Sequence, residues 1–406
     1  MARRVLCVTS SFPRWKADDA TPFVSNLAKD LQRLGWDVDV LAPHAPGAAT
    51  RETLDGVQVE RFRYLVPEAQ QTVCYQGGAL INLRRSPSNW LRIPPLVLAE
   101  LLAVATRLRS RRYDLVHSHW ILPQGFVASL VAPALGIPHV ATAHGGDVFV
   151  LRGRLPEAFK RFALARANAV TVNSSVTGAE VDRLLAGEGA AHLIPMGVSV
   201  TEAPADAARR TELRALHRRG DGPLLIFVGR MVREKGVAEL IESLGILRES
   251  FPEVRALLVG EGPDRPAFQA LAEGLGLGDR LSFTGWVEAS QVPGLLGAAD
   301  IYVGPSHTEA QGLAFLEAMW AGIPVVAARV GGIPDVVRHQ ETGLLVEPGS
   351  PRQVAEAVTR IRSDAGLASG LARRARDLVR TSYSRDAAAA RFSALFESLL
   401  DARRRP

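Results

Sequence analysis

Cysteine is almost missing: Cys7 and Cys74 are the only two in 406 residues. Two isolated thiols exclude a disulfide framework and a thiolate metal site. Aromatic residues make up 6% of the chain, and no basic run is interleaved with them, which argues against nucleic acid as a partner. Long apolar runs are also missing. The best candidates, residues 96–105 and 126–137, are too short to cross a bilayer and read as helices. The opening stretch Met1-Ala2-Arg3-Arg4-Val5-Leu6-Cys7-Val8 meets polar residues at Thr9, so no secretory leader is expected there. These absences lead to the expectation of a soluble, cytoplasmic protein, with peripheral contact at the inner face of a membrane left open.

What the chain does have is length, apolar content and a lopsided charge. Its 406 residues exceed the usual single core, and 47% hydrophobic residues can fill two. Residues 1–200 hold 22 Lys/Arg against 16 Asp/Glu, while residues 201–406 hold 26 of each. The net +6 thus lies wholly in the first half, where it could attract an anionic membrane or a phosphorylated acceptor. Arg84, Arg85 and Arg92 around Trp90, and the arginines closing the 96–109 helix, are the candidates for such contact.

Elements alternate along the chain. A strand at 4–9 is followed by an amphipathic helix at 22–34, with Thr21 as N-cap, Pro22 in its first turn and Gly35 ending it. A strand at 37–41 completes a βαβ opening, which predicts a parallel doubly wound sheet. Residues 64–95 show no clear period. Strands are expected at 57–62, 114–118, 138–143 and 169–172, and again at 224–228, 254–259, 281–284 and 343–346. Residues 199–222 are polar and rich in Ala, Arg and Gly, and read as a linker. Gly260-Glu261-Gly262 starts like a dinucleotide fingerprint, but Arg265 stands where the third glycine belongs and Asp279 precedes the next strand instead of ending it, which argues against a Rossmann dehydrogenase.

Three places carry chemistry. His144-Gly145-Gly146-Asp147 follows a strand, where ligands of open α/β sheets bind. A lone histidine is often structural, but the adjacent Gly-Gly permits close approach of a ligand. Arg230 and Lys235 lie five residues apart in a loop between strand and helix, a spacing that can grip a diphosphate or merely form a solvated basic loop. The third place runs from Asp300 to Gly332. Gln311-Gly312-Leu313 falls where a helix begins, and free N–H groups there favour an anion. Glu317 sits among Phe315, Leu316, Met319 and Trp320, so its carboxylate needs hydroxyl donors or a structural arginine. Glu309 could be held by the helix dipole alone. His117 and His119 share one strand face, but no further ligand stands at metal spacing.

Taken together, Glu309 and Glu317 as Glu-x7-Glu, the Pro-Val-Val strand after Gly322, Gly331-Gly332 and Phe227-Val228-Gly229-Arg230 resemble the donor site of the retaining family 4 glycosyltransferases. Val259-Gly260-Glu261-Gly262, Phe283-Thr284-Gly285, Asp114-Leu115-Val116-His117-Ser118-His119 and Ile194-Pro195-Met196-Gly197-Val198 extend the resemblance over nearly the whole chain. It departs at Met196, where the family usually has Asn. It departs again at Ser10-Ser11-Phe12-Pro13, where a Gly-Gly loop is usual.

The resemblance implies a GT-B fold: two Rossmann-like, doubly wound parallel-sheet domains facing across a cleft. The implied boundaries are an acceptor-side domain at 1–198, a linker at 199–222, a donor domain at 223–384 and a C-terminal helix at 385–406 that could cross back. By position, Arg230 and Lys235 would hold the donor diphosphate, helped by the N–H groups of Leu313 and Ala314. Glu317 would bind the ribose. Glu309, with the backbone of Gln311 and Gly312, would hold the donor sugar, and His144 would act near the reacting centre. The implied activity is retaining, metal-independent transfer from a nucleotide sugar, UDP- or GDP-linked, to a hydroxyl of a carbohydrate or lipid-linked acceptor. Cell-surface polysaccharide or glycolipid synthesis is the implied setting, with no cofactor. A sugar-nucleotide epimerase and a non-catalytic sugar-nucleotide binder remain as alternatives.

Overall fold

Apolar runs punctuated by glycine and proline become strands of two sheets. A computed structural model describes residues 3–16, 18, 22–75, 77–187, 189–200 and 207–404; the proposed N-cap Thr21 lies outside the described residues. The strands are β1 (Arg4–Val8), β2 (Asp37–Pro43), β3 (Arg51–Leu54), β4 (Val57–Phe62), β5 (Leu115–His119), β6 (His139–Ala143), β7 (Ala169–Val172) and β8 (His192–Leu193). They continue as β9 (Leu224–Val228), β10 (Arg255–Val259), β11 (Leu281–Gly285), β12 (Ile301–Gly304), β13 (Val325–Ala328) and β14 (Leu344–Val346). The chain divides into two units, Met1–Met196 with Arg385–Pro406, and Gly197–Ser384. Both units are α/β with parallel sheets.

The first sheet runs β3-β4-β2-β1-β5-β6-β7-β8 and is parallel except for β3 against β4. The chain winds outward from β1 in one direction and from β5 in the other, so β1 and β5 flank its switch point. Leu6 and Val8 face a core built with Leu96, Val104 and Leu108 of the helix Ile93–Ser110. The helix Arg385–Ala402 packs on the helix Pro22–Arg33. Its Phe392 and Phe396 stand 5.2 and 5.3 Å from the ring of His117, and Phe396 meets Trp36 edge-on at 5.5 Å. Asp30, buried, accepts from Arg33 and from Arg385. Residues 64–95, without a period in the sequence, contain the short helix Ala79–Arg85 and a turn at Pro87–Arg92. Buried Asn82 holds this segment through Val73 O and Asn89 Nδ2. Side-chain hydrogen bonds, rather than amphipathic periodicity, fix it.

The second sheet runs β11-β10-β9-β12-β13-β14 and is wholly parallel. Leu225 and Phe227 enter the core on one face, Leu224 and Ile226 the core on the other. Helices on both faces explain the unbroken apolar run of β9. Here the switch point lies between β9 and β12. Gly322 closes the helix Leu313–Ala321 in the left-handed region, and Ser350 caps Pro351–Ser363 by accepting from Gln353 N. Part of the stretch read as linker is the helix Ala207–His217, whose Arg214 donates to Ala298 O at 3.0 Å and pairs with Asp300; residues 201–206 are outside the described residues. Among the described residues, no helix is long and apolar enough to cross a membrane.

Candidate functional site

The site of the second unit grows from the carboxyl ends of β9 and β12, the two strands that flank its switch point. In open α/β sheets that crevice is where ligands bind. After β9 the chain turns through residues 229–236. Gly229 N donates to Val259 O and Met231 N to Glu261 O, both at 2.9 Å, which fastens the loop to β10's end. A tight turn at Arg233–Lys235 then ends at Gly236, whose φ of 69° is left-handed. A Cβ there would stand 1.9 Å from Pro305 O. Only glycine lets the Lys235 loop pack this closely on the loop after β12.

That second loop, residues 305–312, delivers Glu309. Lys235 Nζ donates to Glu309 Oε2 at 2.5 Å, with the two side chains 22% and 16% exposed. Gly332 N donates to Glu309 O at 3.1 Å, and a Cβ on Gly331 would approach the same carbonyl to 1.9 Å. The Gly331-Gly332 turn thus holds the Glu309 backbone.

Gly312 precedes the helix Leu313–Ala321 and offers it no side-chain cap. The helix therefore presents its first N–H groups, those of Leu313 and Ala314, with the positive end of its dipole. Beneath them, fully buried Tyr302 donates to Val228 O at 3.3 Å and meets Phe315 edge-on at 5.2 Å. It ties β9, β12 and the helix together. Burial raises its phenol pKa, and the charges of Glu309 and Glu317 add to the effect.

Glu317 reaches solvent, yet the surrounding protein mass strips enough water to push its carboxyl up to about 7. Among the described residues no cation pairs with it, so the structural-arginine explanation for Glu317 does not apply. Arg230 opens the same loop as Lys235; it is exposed and has no carboxylate partner among the described residues. Gln311 is buried.

His144 belongs to the first unit, one residue past β6. Its Nε2 lies 3.0 Å from His119 Nδ1, and Phe23 and Trp120 flank its ring at 5.0 and 4.9 Å. Asp147 accepts from His144 N at 3.0 Å and from Ile121 N at 2.8 Å, fixing the turn that presents the ring. Burial holds the His144 imidazole down to about 3 and lowers His119 as well. His144 is therefore neutral at physiological pH, a hydrogen-bonding group rather than a cation.

The sequence reading missed Tyr302, His119 as the partner of His144, and Asp147 as its support. A lone hydroxyl in the apolar run of β12 was the available signal for Tyr302. For His119 the strand-face spacing with His117 raises only the question of a metal, which the sequence already disfavours; the rings of these two buried histidines stand 4.3 Å apart. Among the described residues no group of His, Cys, Asp and Glu could hold a metal ion.

Two family models match the chain: Glycosyl transferases group 1 over residues 208–378, and Glycosyltransferase Family 4 over residues 20–202. The 2-deoxystreptamine glucosyltransferase of Streptomyces kanamyceticus is 30% identical over 84% of this chain and 89% of its own length. TuaC of Bacillus subtilis (strain 168), a glycosyltransferase assigned to teichuronic acid biosynthesis, is 29% identical over 88% of each chain. Among solved structures, sucrose-phosphate synthase from Thermosynechococcus elongatus superposes with a TM-score of 0.81 at 25% identity, covering 98% of this chain and 100% of that one.

Proposed function

The chain belongs to the group 1, family 4 glycosyltransferases, and from that premise we propose that it transfers a sugar, with retained anomeric configuration and without a metal, from a nucleotide-sugar donor to an acceptor hydroxyl. The observation that carries this reading is the Lys235–Glu309 pair at the switch point, beside the uncapped start of the helix Leu313–Ala321. An ammonium, a carboxylate and a helix N-terminus side by side match a ligand that offers phosphate and hydroxyl groups together.

In the proposed complex Lys235 exchanges Glu309 for the donor diphosphate, which Arg230 grips as well. The N–H groups of Leu313 and Ala314 bind the same phosphates. Glu309, released from Lys235, accepts from hydroxyls of the donor sugar beside the backbone of Gln311 and Gly312. Glu317 accepts from the ribose hydroxyls. His144 contributes a neutral imidazole as a hydrogen-bonding group to the reacting sugar. The bond from anomeric carbon to phosphate oxygen breaks while the acceptor oxygen bonds on the same face, and the leaving phosphate takes the acceptor proton. Arg230 and Lys235 stabilise the charge that grows on the leaving group.

The donor class we infer is a UDP- or GDP-sugar, and the acceptor a carbohydrate or lipid-linked hydroxyl in cell-surface polysaccharide or glycolipid synthesis, a setting that the B. subtilis relative's assignment supports. Nucleotide sugars are first ranked by thermal stabilisation; a ligand at about 100 times its Kd adds roughly 2.7 kcal/mol. The best donor is then incubated with candidate acceptors and a chelator, and the product anomer is read by NMR. An α-linked donor should give an α-linked product. An inverted product, or loss of activity with the chelator, overturns the mechanism. An isomerised sugar formed without acceptor would make the protein an epimerase, and binding without turnover a non-catalytic binder.

A further inference from the structure

The helix Ile93–Ser110 wears its polarity inside out. It reads IPPLVLAELLAVATRLRS, and its one charged residue before Arg107 is Glu100. Glu100 is fully buried, accepts from Gln124 Nε2 at 3.2 Å, and is pushed by burial up to about 8. Leu98 and Leu102, a helical turn apart, face solvent instead, at 57% and 59% exposure. Leu91, 81% exposed, and Trp90 extend the strip into the preceding turn. A surface helix ordinarily turns its polar side outward, and a helix apolar all round is ordinarily covered.

Neighbouring helices continue the strip. Phe126–Val131 packs beside Ile93–Ser110, and Arg154–Arg166 packs beside Phe126–Val131. They expose Leu130, and Leu155 with Phe159, respectively. Phe159 meets Phe126 at 5.1 Å, so the helices share an aromatic seam. Exposed apolar side chains gathered on neighbouring packed helices mark an interaction site.

Charge decides the occupant. Residues 79–112 contain seven arginines and one acid, the buried Glu100. Arg84 and Arg85 stand exposed before the strip, Arg109 and Arg112 after it. Glu157 on the neighbouring helix is half-buried and lies 3.6 Å from Arg183. A second copy of this chain docked two-fold on the strip would set arginine against arginine. An exposed apolar strip flanked by arginines fits the boundary between headgroups and acyl chains of an anionic bilayer, where apolar insertion and charge attraction act together.

We propose that this three-helix layer of the first unit docks the protein onto membranes rich in anionic phospholipid, with Leu91, Leu98 and Leu102 inserted and the flanking arginines on headgroups. The proposal does not depend on the donor-site reading. Arg92 and Arg111 stay out of the test variants, because Arg92 holds Asn89 and Arg111 holds buried Asp39.

The full chain is floated with phosphatidylcholine vesicles, with and without phosphatidylglycerol, at low and high salt. Wild type should bind the anionic vesicles, and their brominated lipids should quench fluorescence that Trp90→Phe removes. Leu98→Gln/Leu102→Gln should weaken binding about tenfold or more, at unchanged melting temperature and unchanged nucleoside-diphosphate affinity. Arg84→Ser/Arg85→Ser/Arg109→Ser should abolish the salt-sensitive part. Binding by the leucine variant equal to wild type, or no binding by wild type to either vesicle, overturns the proposal. Concentration-dependent self-association lost in the leucine variant would reassign the strip to a second copy.

Discussion

Lys235 and Glu309 lie 74 positions apart in the chain, yet Nζ and Oε2 are 2.5 Å apart. Each is the other's partner in the free protein, and each is proposed to find a different partner on the donor. The pair keeps both charges compensated until a ligand with phosphate and hydroxyl groups arrives. It is partly buried, so removing one member leaves the other uncompensated, at less than the roughly 3–5 kcal/mol of a fully buried pair. Lys235→Met should therefore lower thermal stability more than Lys235→Met/Glu309→Gln does. Equal melting temperatures for these two variants would show that the pair carries no such strain.

Nucleoside-diphosphate affinity should separate Arg230 from Lys235. Arg230→Ala removes one charge-assisted contact, about 1.5–3 kcal/mol. Lys235→Ala should cost more, because Glu309 then faces the phosphates without its cation. Calorimetric titration measures both. An affinity untouched by either substitution places the diphosphate elsewhere.

The two glutamates should fail differently. Glu309→Gln should lower turnover with modest change in donor affinity, and Glu317→Gln should weaken donor binding. Ribose hydroxyls donate to the ionised carboxylate, so wild-type affinity for a nucleotide sugar should rise as pH climbs through about 7, the value to which the Glu317 carboxyl is raised. In Glu317→Gln that rise should vanish. A wild-type binding curve that is flat from pH 6 to 8 removes Glu317 from the ribose site.

Gly236→Ala should displace the Lys235 loop, because its Cβ meets Pro305 O and its φ is left-handed. A loss of about 1–3 kcal/mol in stability is expected, together with weaker diphosphate binding. Full binding in the alanine variant would mean that the loop tolerates the shift.

The first unit should be acid-labile. Burial lowers His117, His139 and His144 to about 3, and lowers His119 too. Between pH 3 and about 6.5 the unfolded chain binds protons there that the native unit does not. Stability from these groups is complete above about pH 6.5 and falls as pH falls. Glu100 and Asp147, raised by burial, oppose the trend, two groups against four. The urea midpoint should therefore drop from pH 7 to pH 5, and His117→Gln should flatten the slope. A midpoint constant over that range contradicts neutral buried histidines.

Much of the second unit was legible because its signals are local. Proline and glycine stop strands, Ser350 caps a helix, Gly322 ends one, and an apolar run such as Leu224–Val228 must lie between two layers. Glu309 and Glu317 could be singled out for the same reason: their neighbours in sequence make a carboxylate conspicuous. The short helix Ala79–Arg85 was not legible, since Asn82 fixes it by bonds to backbone carbonyl that no periodicity announces.

The sequence by itself determined the α/β alternation, the glycine-bounded loops and the charges available at strand ends, all set by backbone sterics and burial over a few residues. The tertiary structure alone decided which loops meet. Sheet order brought Lys235 to Glu309 and His119 to His144, and packing turned Glu100 inward while leaving Leu98 and Leu102 outside. Those outcomes depend on contacts between residues far apart in the chain, whose free energy belongs to the pair and is written in neither residue's own neighbourhood.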